Sequence, residues 1–294
     1  MNKIKKTLFI FTFLISFLPL SANKIISSYT QKSINDFYDL RLKLFTLSEN
    51  QEALPFIDEF EKNALLNLKE NAIDYKQEDL IIRGMCAAER YNYIFSPEKD
   101  NKELTKYMKQ MMEEIEDYIN HLPKKQEANY FTYSTYADLM SFYMFSSIPA
   151  VLKYGFKVRD YYIKAYKSNP KAAYAISGHA IWMFFAPGIF GGSVKKSRKI
   201  FEQAYTVANT DFERFWTTVY YSQSLFEEKK YSKCAEILDE AEKLNPNSKL
   251  VQTTRYVNKK GFSLLQYNRD RTKLDDEKEK MGASDDDLLN LVEN

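Results

Sequence analysis

The residue types that most often carry out catalysis or bind metals are scarce in this 294-residue chain. Its two histidines, His121 and His179, lie 58 residues apart, and its two cysteines, Cys86 and Cys234, lie 148 residues apart. The chain has no His-Glu-x-x-His, no Gly-x-Ser-x-Gly and no Gly-x4-Gly-Lys-Ser/Thr motif. We therefore expect no catalytic residue, no metal and no cofactor, and we predict that the protein is not an enzyme. An enzyme whose site assembles from distant residues stays open as an alternative.

Aromatic side chains are abundant instead, with 22 Tyr, 21 Phe and 2 Trp. They crowd segments with helical spacing, and an amphipathic helix buries only one stripe of about 100°. Tyr and Trp on an exposed face supply rigid contact area with a polar tip, which suits the binding of a peptide or a small ligand. The candidate ligand-binding residues are His179, Trp182, Phe185, Phe190, Trp216 and Tyr220. The alternative is that the rings only pack in the core and that His179 is a buried, hydrogen-bonded histidine.

The segment FFAPGIFGGS lies between two helical patterns and holds three of the eight glycines. The residues of this structural turn are Pro187, Gly188, Gly191, Gly192 and Ser193. Gly191 and Gly192 are predicted to adopt positive φ, and Ser193 is predicted to cap the following helix. We expect Ile189 and Phe190 to fold inward, so that Phe190 forms an apolar lip of the binding groove.

Apolar residues recur with helical periodicity along most of the chain, and only 8 Gly and 8 Pro interrupt it. From about residue 139, three segments repeat one order: a small residue, a large residue, an alanine and a helix stop. The three sets are Val158, Tyr162, Ala165, Pro170; Ser197, Phe201, Ala204, Asn209; and Cys234, Leu238, Ala241, Pro246. Small side chains on one face let stacked helix pairs approach closely. The pattern resembles the tetratricopeptide repeat, and residues 231–247 are its clearest unit.

We therefore predict an all-α, tetratricopeptide-like helical-repeat solenoid of stacked antiparallel helix pairs over residues 23–267. The clearest repeats cover residues 139–172, 173–211 and 212–248. The first helix of each pair is expected to line a concave face, and residues 248–266 to form one C-terminal capping helix. Residues 268–294 are rich in charge and lack aromatic residues, so they are predicted to form a flexible tail.

The first 22 residues have the pattern of a secretory signal peptide. Three lysines precede an apolar run from Leu8 to Leu20, and Ala22 is a small residue suited to cleavage. We predict a periplasmic or secreted protein whose signal peptide is cleaved near Ala22; an uncleaved N-terminal anchor is the alternative. No cysteine follows the apolar run, so no lipid anchor is expected. Cleavage leaves 39 basic and 40 acidic residues, which gives no electrostatic case for nucleic-acid binding.

The Pro-Gly-x-x-Gly-Gly turn, followed by a helix with Lys195, Lys196, Phe201 and Ala204, resembles the T component of tripartite ATP-independent periplasmic transporters. The resemblance covers about residues 155–266. It implies an exported helical-repeat protein that associates with a periplasmic solute-binding protein and offers a cleft for a small apolar ligand. We expect a non-catalytic module that binds a protein partner or such a ligand in an aromatic-lined groove. The alternative is a scaffold that acts through its outer face or its tail.

Overall fold

The computed structural model describes residues 22–48, 50–95 and 101–269, and in these ranges the chain is almost entirely helical. The α-helices are α1 Ser28–Leu44, α2 Ala53–Leu66, α3 Leu68–Asn71, α4 Tyr75–Ile94, α5 Lys102–Asn120, α6 Tyr130–Tyr143, α7 Ile148–Ser168, α8 Ala173–Phe185, α9 Val194–Val207, α10 Asp211–Glu227, α11 Tyr231–Leu244, α12 Lys249–Lys259 and α13 Leu264–Arg269. Two short strands, β1 Ala22–Asn23 and β2 Gln126–Glu127, pair in parallel.

Helices α4 to α11 form successive antiparallel pairs: α4 with α5, α6 with α7, α8 with α9, and α10 with α11. Each pair packs on the next, since α4 contacts α6, α6 contacts α8, and α8 contacts α10, while α7 contacts α8 and α9 contacts α10. Helix α12 then packs against both helices of the last pair. The prediction of an all-α helical-repeat solenoid is confirmed.

The repeated small residues lie between helices, as their spacing predicts. Ala165, Ala204 and Ala241 are fully buried, and the large residues that precede them are buried too. Helices α7, α9 and α11 end two residues before the predicted stops, which are Pro170, Asn209 and Pro246. The local pattern therefore sets both the close contacts and the ends of the second helices.

One glycine in the stack is required by close packing. A Cβ atom added at Gly178 in α8 would lie 2.3 Å from Cε1 of Tyr162 in α7. On a neighbouring face of the same helix, Ser177 Oγ and Thr217 Oγ1 of α10 are 2.6 Å apart. Helix α8 is thus held closely between its two neighbours, and its side chains point to different helices according to their position.

Helix α1 lies across the face formed by the first helices α4, α6, α8 and α10, which we call the first-helix face. At its start, the Glu78 carboxylate of α4 accepts hydrogen bonds from the hydroxyls of Ser27 and Thr30 and from the backbone of Ile73 and Asp74. Burial raises the pKa of Glu78, but these hydrogen bonds outweigh it and hold the pKa below its usual value.

The other end of α1 reaches the loop before α12. Asn245 Nδ2 donates to the Leu42 carbonyl at 2.9 Å, and the Lys249 amide donates to the Phe45 carbonyl at 2.7 Å. Helix α1 therefore joins the first described pair to the last one. The sequence predicted an open concave face, and in the structure α1 covers part of it.

The C-terminal part differs from the prediction of one capping helix over residues 248–266. A turn containing Gly261, whose φ is +87°, separates α12 from α13. A left-handed φ ends a helix and is readily adopted only by glycine. Residues 268 and 269, the first two of the predicted tail, belong to α13. The rest of the predicted tail, residues 270–294, lies outside the described residues, as do residues 1–21 of the predicted signal peptide.

Candidate functional site

The six candidate ligand-binding residues do not meet in one groove. His179, Trp182 and Phe190 pack against α7, whereas Phe185, Trp216 and Tyr220 form contacts across α8 and α10. The expectation of a single groove lined by all six is therefore wrong. The structure replaces it with two surfaces, one on the first-helix face and one beside α7.

Trp182 and Phe190 form the group beside α7. The indole Nε1 of Trp182 donates to the Gly155 carbonyl at 2.7 Å, which fixes α8 against α7. The Phe156 ring lies between the two, with its centroid 6.5 Å from that of Trp182 and 5.9 Å from that of Phe190. The Arg159 guanidinium lies over the Trp182 ring at 5.5 Å. Phe190 therefore packs on α7 and is not a lip over the first-helix face.

His179 is buried in the same interface and stacks on Tyr166 of α7, with ring centroids 5.8 Å apart. Burial, assisted by the positive charge of Arg159, lowers the pKa of His179 to about 4. The ring is therefore neutral at neutral pH. Among the described residues no group hydrogen-bonds either ring nitrogen, so the expected hydrogen-bonded histidine is buried but unpaired.

The Gly-rich turn follows part of its predicted geometry. Gly191 has a φ of +90°, and Ser193 caps α9 by accepting from the Lys196 amide. Gly192 does not have positive φ; it is required because an added Cβ would lie 1.7 Å from the Ala186 carbonyl oxygen. Ile189 is 88% exposed, so the prediction that it folds inward is wrong. The short 3₁₀ turn Gly188–Phe190 directs this side chain away from the core.

The second group forms a row of four partly exposed rings on the first-helix face, which we call the aromatic row: Phe45, Trp216, Tyr220 and Phe185. Phe45 of the α1 terminus stacks on Trp216 with centroids 6.0 Å apart. Trp216 meets Tyr220 edge-on at 4.8 Å, and Tyr220 meets Phe185 edge-on at 6.2 Å. Burial raises the pKa of Tyr220 to about 12, so its hydroxyl stays protonated at neutral pH.

A buried ion pair lies beneath one end of the aromatic row. Arg41 of α1 has its Nε 2.8 Å from Oε2 of Glu89 in α4, and both side chains are almost fully buried. The guanidinium also lies 4.5 Å from the Phe212 ring centroid and 5.2 Å from that of Trp216. A buried charge is stable only when it is paired, so this ion pair ties α1 to the stack in one position.

The Arg41 side chain also connects to helices α6 and α8 through tyrosines. Its Nη1 donates to the Tyr174 hydroxyl at 3.0 Å, and that hydroxyl donates to Asp138 Oδ2 at 2.9 Å. Tyr162 donates to the other carboxylate oxygen. Burial raises the pKa of Asp138 to about 6, against the effect of these hydrogen bonds. We call Arg41, Glu89, Asp138 and Tyr174 the Arg41 cluster.

A small cavity adjoins the Arg41 cluster between α1, α4 and α6. Its volume is about 20 Å³, and Arg41, Glu89, Asp138 and Tyr174 are among its lining residues. This is room for about one water molecule, which such polar walls would bind. The cavity is too small for an organic ligand.

Sequence reasoning missed Arg41 and Phe45. Arg41 lies on the buried stripe of α1, three residues after Tyr38 and three before Leu44, both of which are buried. A cation on an apolar stripe indicates a buried partner, and this was the one available signal. Nothing in the local sequence identifies Glu89 as that partner or places Phe45 beside Trp216.

No metal-binding cluster of His, Cys, Asp or Glu is found in the part of the chain that the structure describes. Cys86 and Cys234 are buried free thiols, and burial raises the pKa of Cys234 to about 11. Within residues 22–48, 50–95 and 101–269, no helix has the length and apolar character of a membrane span. No protein-family model and no curated protein sequence matches this chain.

Proposed function

We propose that this protein is an exported, non-catalytic binding module that holds a protein partner on the aromatic row. The observation that carries the proposal is the row itself: four connected aromatic rings that remain partly exposed on the first-helix face. Tyr and Trp are enriched among the residues that contribute most to protein–protein affinity, because they bury large rigid surfaces.

The support beneath the row favours a preorganised binding surface. Phe45 is held by the backbone hydrogen bond from Lys249, and Trp216 lies on the Arg41 guanidinium. Side chains fixed before binding lose little conformational entropy when a partner arrives. A protein partner suits this surface because its four rings offer a row of partly exposed apolar contact area.

Export remains part of the proposal, with residues 1–22 as a signal peptide and a periplasmic or secreted mature protein. Strand β1 begins at Ala22, and two further contacts lie just after the expected cleavage site: the Lys24 amide donates to the Glu127 carbonyl at 3.0 Å, and Lys24 Nζ lies 2.5 Å from Asp74 Oδ2. A chain starting at Asn23 loses the Ala22 position of β1 but retains both Lys24 contacts. The resemblance to the T component suggests a periplasmic solute-binding protein as the partner to test first.

The test uses Tyr220→Ala, which removes the central ring of the row without touching the Arg41 cluster. Tyr75→Ala is the control, because Tyr75 is an exposed tyrosine that lies at the start of α4 and outside the aromatic row. The mature protein is titrated calorimetrically with a purified solute-binding protein of a tripartite periplasmic transporter. We expect at least a roughly 30-fold loss of affinity for Tyr220→Ala and no change for the control.

Equal affinity of wild type and Tyr220→Ala would contradict the aromatic row as the binding surface. Loss of binding only on Leu152→Ser in α7, or only on removal of residues 270–294, would instead support a scaffold acting through its outer face or its tail. Circular dichroism of each variant checks that the helical fold is retained.

A further inference from the structure

A second apolar surface lies at the start of α7 and the tip of the Gly-rich turn, and it shares no residue with the aromatic row. We call it the outer apolar patch: Ile148, Leu152, Phe156 and Ile189, with exposed fractions of 77%, 65%, 46% and 88%. The three α7 residues are spaced four apart and so share one helix face. Four large apolar side chains this exposed in one place are unusual for a soluble surface.

The two parts of the patch are neighbours in space. The Phe156 ring of α7 meets the Phe190 ring of the turn edge-on at 5.9 Å, and Ile189 precedes Phe190 directly. The start of α7 and the turn before α9 also lie at the same end of the stack, since the first helices α6 and α8 run parallel. Trp182 supports both from below through its bond to Gly155.

Exposed lysines flank the patch. Residues 148–200 contain ten lysines and arginines but a single acid, Asp160, whereas the whole chain carries 42 basic and 40 acidic residues. Lys153 lies beside Leu152, and Lys195 and Lys196 open α9 immediately after the turn; all three are exposed. Lys157, Arg159 and Arg198 from this stretch form ion pairs with Glu116, Asp160 and Glu202, so the positive charge beside the patch comes mainly from the exposed lysines Lys153, Lys195 and Lys196.

We propose that the outer apolar patch docks this protein on the surface of an anionic lipid bilayer. Interfacial helices combine protruding Leu, Ile and Phe side chains with lysines, because the apolar side chains enter the acyl boundary while the lysines contact anionic headgroups. A protein interface is disfavoured by the same composition, since lysine is depleted from such interfaces and Tyr, Trp and Arg are enriched. The patch also consists of projecting side chains rather than a groove.

This docking is peripheral and leaves the aromatic row available. Ile148, Leu152 and Ile189 would enter the boundary between headgroups and acyl chains, and the lysine stems can extend along the apolar surface while their ammonium groups remain at the headgroups. The inference is independent of the proposed function, because the aromatic row and the outer apolar patch share no residue.

The test is sedimentation of the full chain with vesicles of phosphatidylcholine, with and without phosphatidylglycerol. We expect binding only to the vesicles that contain phosphatidylglycerol, and weaker binding at high salt. Leu152→Ser should weaken binding by roughly tenfold, through lost apolar burial. Lys195→Gln combined with Lys196→Gln should weaken it by roughly thirtyfold.

Matched controls come from α2 and α3, which carry an exposed leucine between exposed lysines. Leu66→Ser, and Lys62→Gln combined with Lys69→Gln, should leave vesicle binding unchanged. All these side chains are exposed, so the variants should fold, and circular dichroism checks this. Quenching of Trp182 by brominated lipid, preserved in Trp216→Phe and lost in Trp182→Phe, places the patch at the bilayer.

Absence of binding to the anionic vesicles would overturn the proposal. So would equal binding by Leu152→Ser and wild type, because the lysines would then act as a general electrostatic attraction. A dimer in sedimentation velocity that Leu152→Ser converts to monomer would assign the patch to a second copy of the chain and also overturn it. None of these three outcomes would contradict the proposed function, which the Tyr220→Ala titration tests separately.

Discussion

The aromatic row and the outer apolar patch both expose apolar rings, but they differ in what supports them. The row lies where α1 crosses the first-helix face, above a buried ion pair and a set of hydrogen-bonded tyrosines. The patch lies on α7 and a glycine turn, supported by the Trp182 bond to Gly155. The row depends on contacts between residues far apart in sequence, whereas the patch depends on neighbouring elements.

The comparison also shows why residues close in sequence serve different surfaces. Trp182 and Phe185 are three residues apart on α8, which turns by about 100° per residue. Trp182 faces α7 while Phe185 faces Tyr220 of α10. The two side chains therefore point in directions about 60° apart around the helix axis. Because α8 has helices on several sides, this difference is enough for them to contact different helices.

The largest expected effect is on Arg41, whose removal should disturb the aromatic row and leave the outer apolar patch intact. Arg41→Met leaves the Glu89 carboxylate buried without its partner, so we expect the free energy of unfolding to fall by about 3–5 kcal/mol. Partner binding should weaken, while binding to anionic vesicles should be retained. Urea unfolding followed by circular dichroism measures the change.

Lys32→Met is the control, because the Lys32–Asp36 ion pair on α1 is exposed and should contribute less than about 1 kcal/mol. The double variant Arg41→Met with Glu89→Leu should recover part of the lost stability. A loss below about 1 kcal/mol for Arg41→Met would show that apolar contacts alone hold α1 in place.

The next largest effect is a dependence of the stability on pH. It belongs to the region beneath the aromatic row, where Asp138 lies in the Arg41 cluster, because none of the four residues of the outer apolar patch carries a carboxyl group. The folded pKa of Asp138 is about 6, above its usual value of 3.8. Folding therefore favours the protonated form, and this contribution is present below about pH 4 and lost as the pH rises through 6. It amounts to at most about 3 kcal/mol.

Asp138→Asn cannot ionise, so the fall in stability between pH 4 and pH 7 should be smaller in this variant than in wild type. Urea unfolding at a series of pH values gives the free energy of unfolding of both proteins. The contributions of the other titrating groups cancel in the difference between the two values. Parallel pH profiles for wild type and Asp138→Asn would show that the carboxyl group near the Arg41 cluster titrates normally.

A smaller effect is expected where α7 and α8 pack together, which supports the outer apolar patch. Gly178→Ala places a methyl group against the Tyr162 ring and should destabilise the fold by about 1–3 kcal/mol, reduced by the better helix propensity of alanine. Gly188→Ala is the control, since an added Cβ there meets nothing within 4 Å. Equal thermal unfolding temperatures for both variants would refute the close approach.

The smallest effect is expected for Trp182→Phe. The variant keeps an aromatic ring beside Phe156 but loses the hydrogen bond to the Gly155 carbonyl, which should reduce stability by about 1 kcal/mol. Vesicle binding should weaken slightly through looser packing of α7, and partner binding should not change. A loss of partner binding would mean that Trp182 and the aromatic row act as one surface.

Much of the stack could be predicted from local spacing. The buried alanines, the ends of α7, α9 and α11 and the Ser193 cap all follow from patterns within a few residues. The arrangement of the candidate site could not be predicted in the same way. Arg41 meets a partner 48 residues away in Glu89, and Leu42 meets one 203 residues away in Asn245. A sequence pattern indicates that such a side chain is buried but not what it meets.

The amino-acid sequence alone determined the helices, their ends and the small side chains through which the pairs stack, because each depends on backbone preferences and on spacing along one helix. Only the tertiary structure decided that α1 crosses the first-helix face and that Trp182 and Trp216 belong to different surfaces. The physical reason is that helical periodicity orients a side chain about its own helix axis. The rotation and crossing of neighbouring helices, which choose its contacts, result from packing of the whole chain.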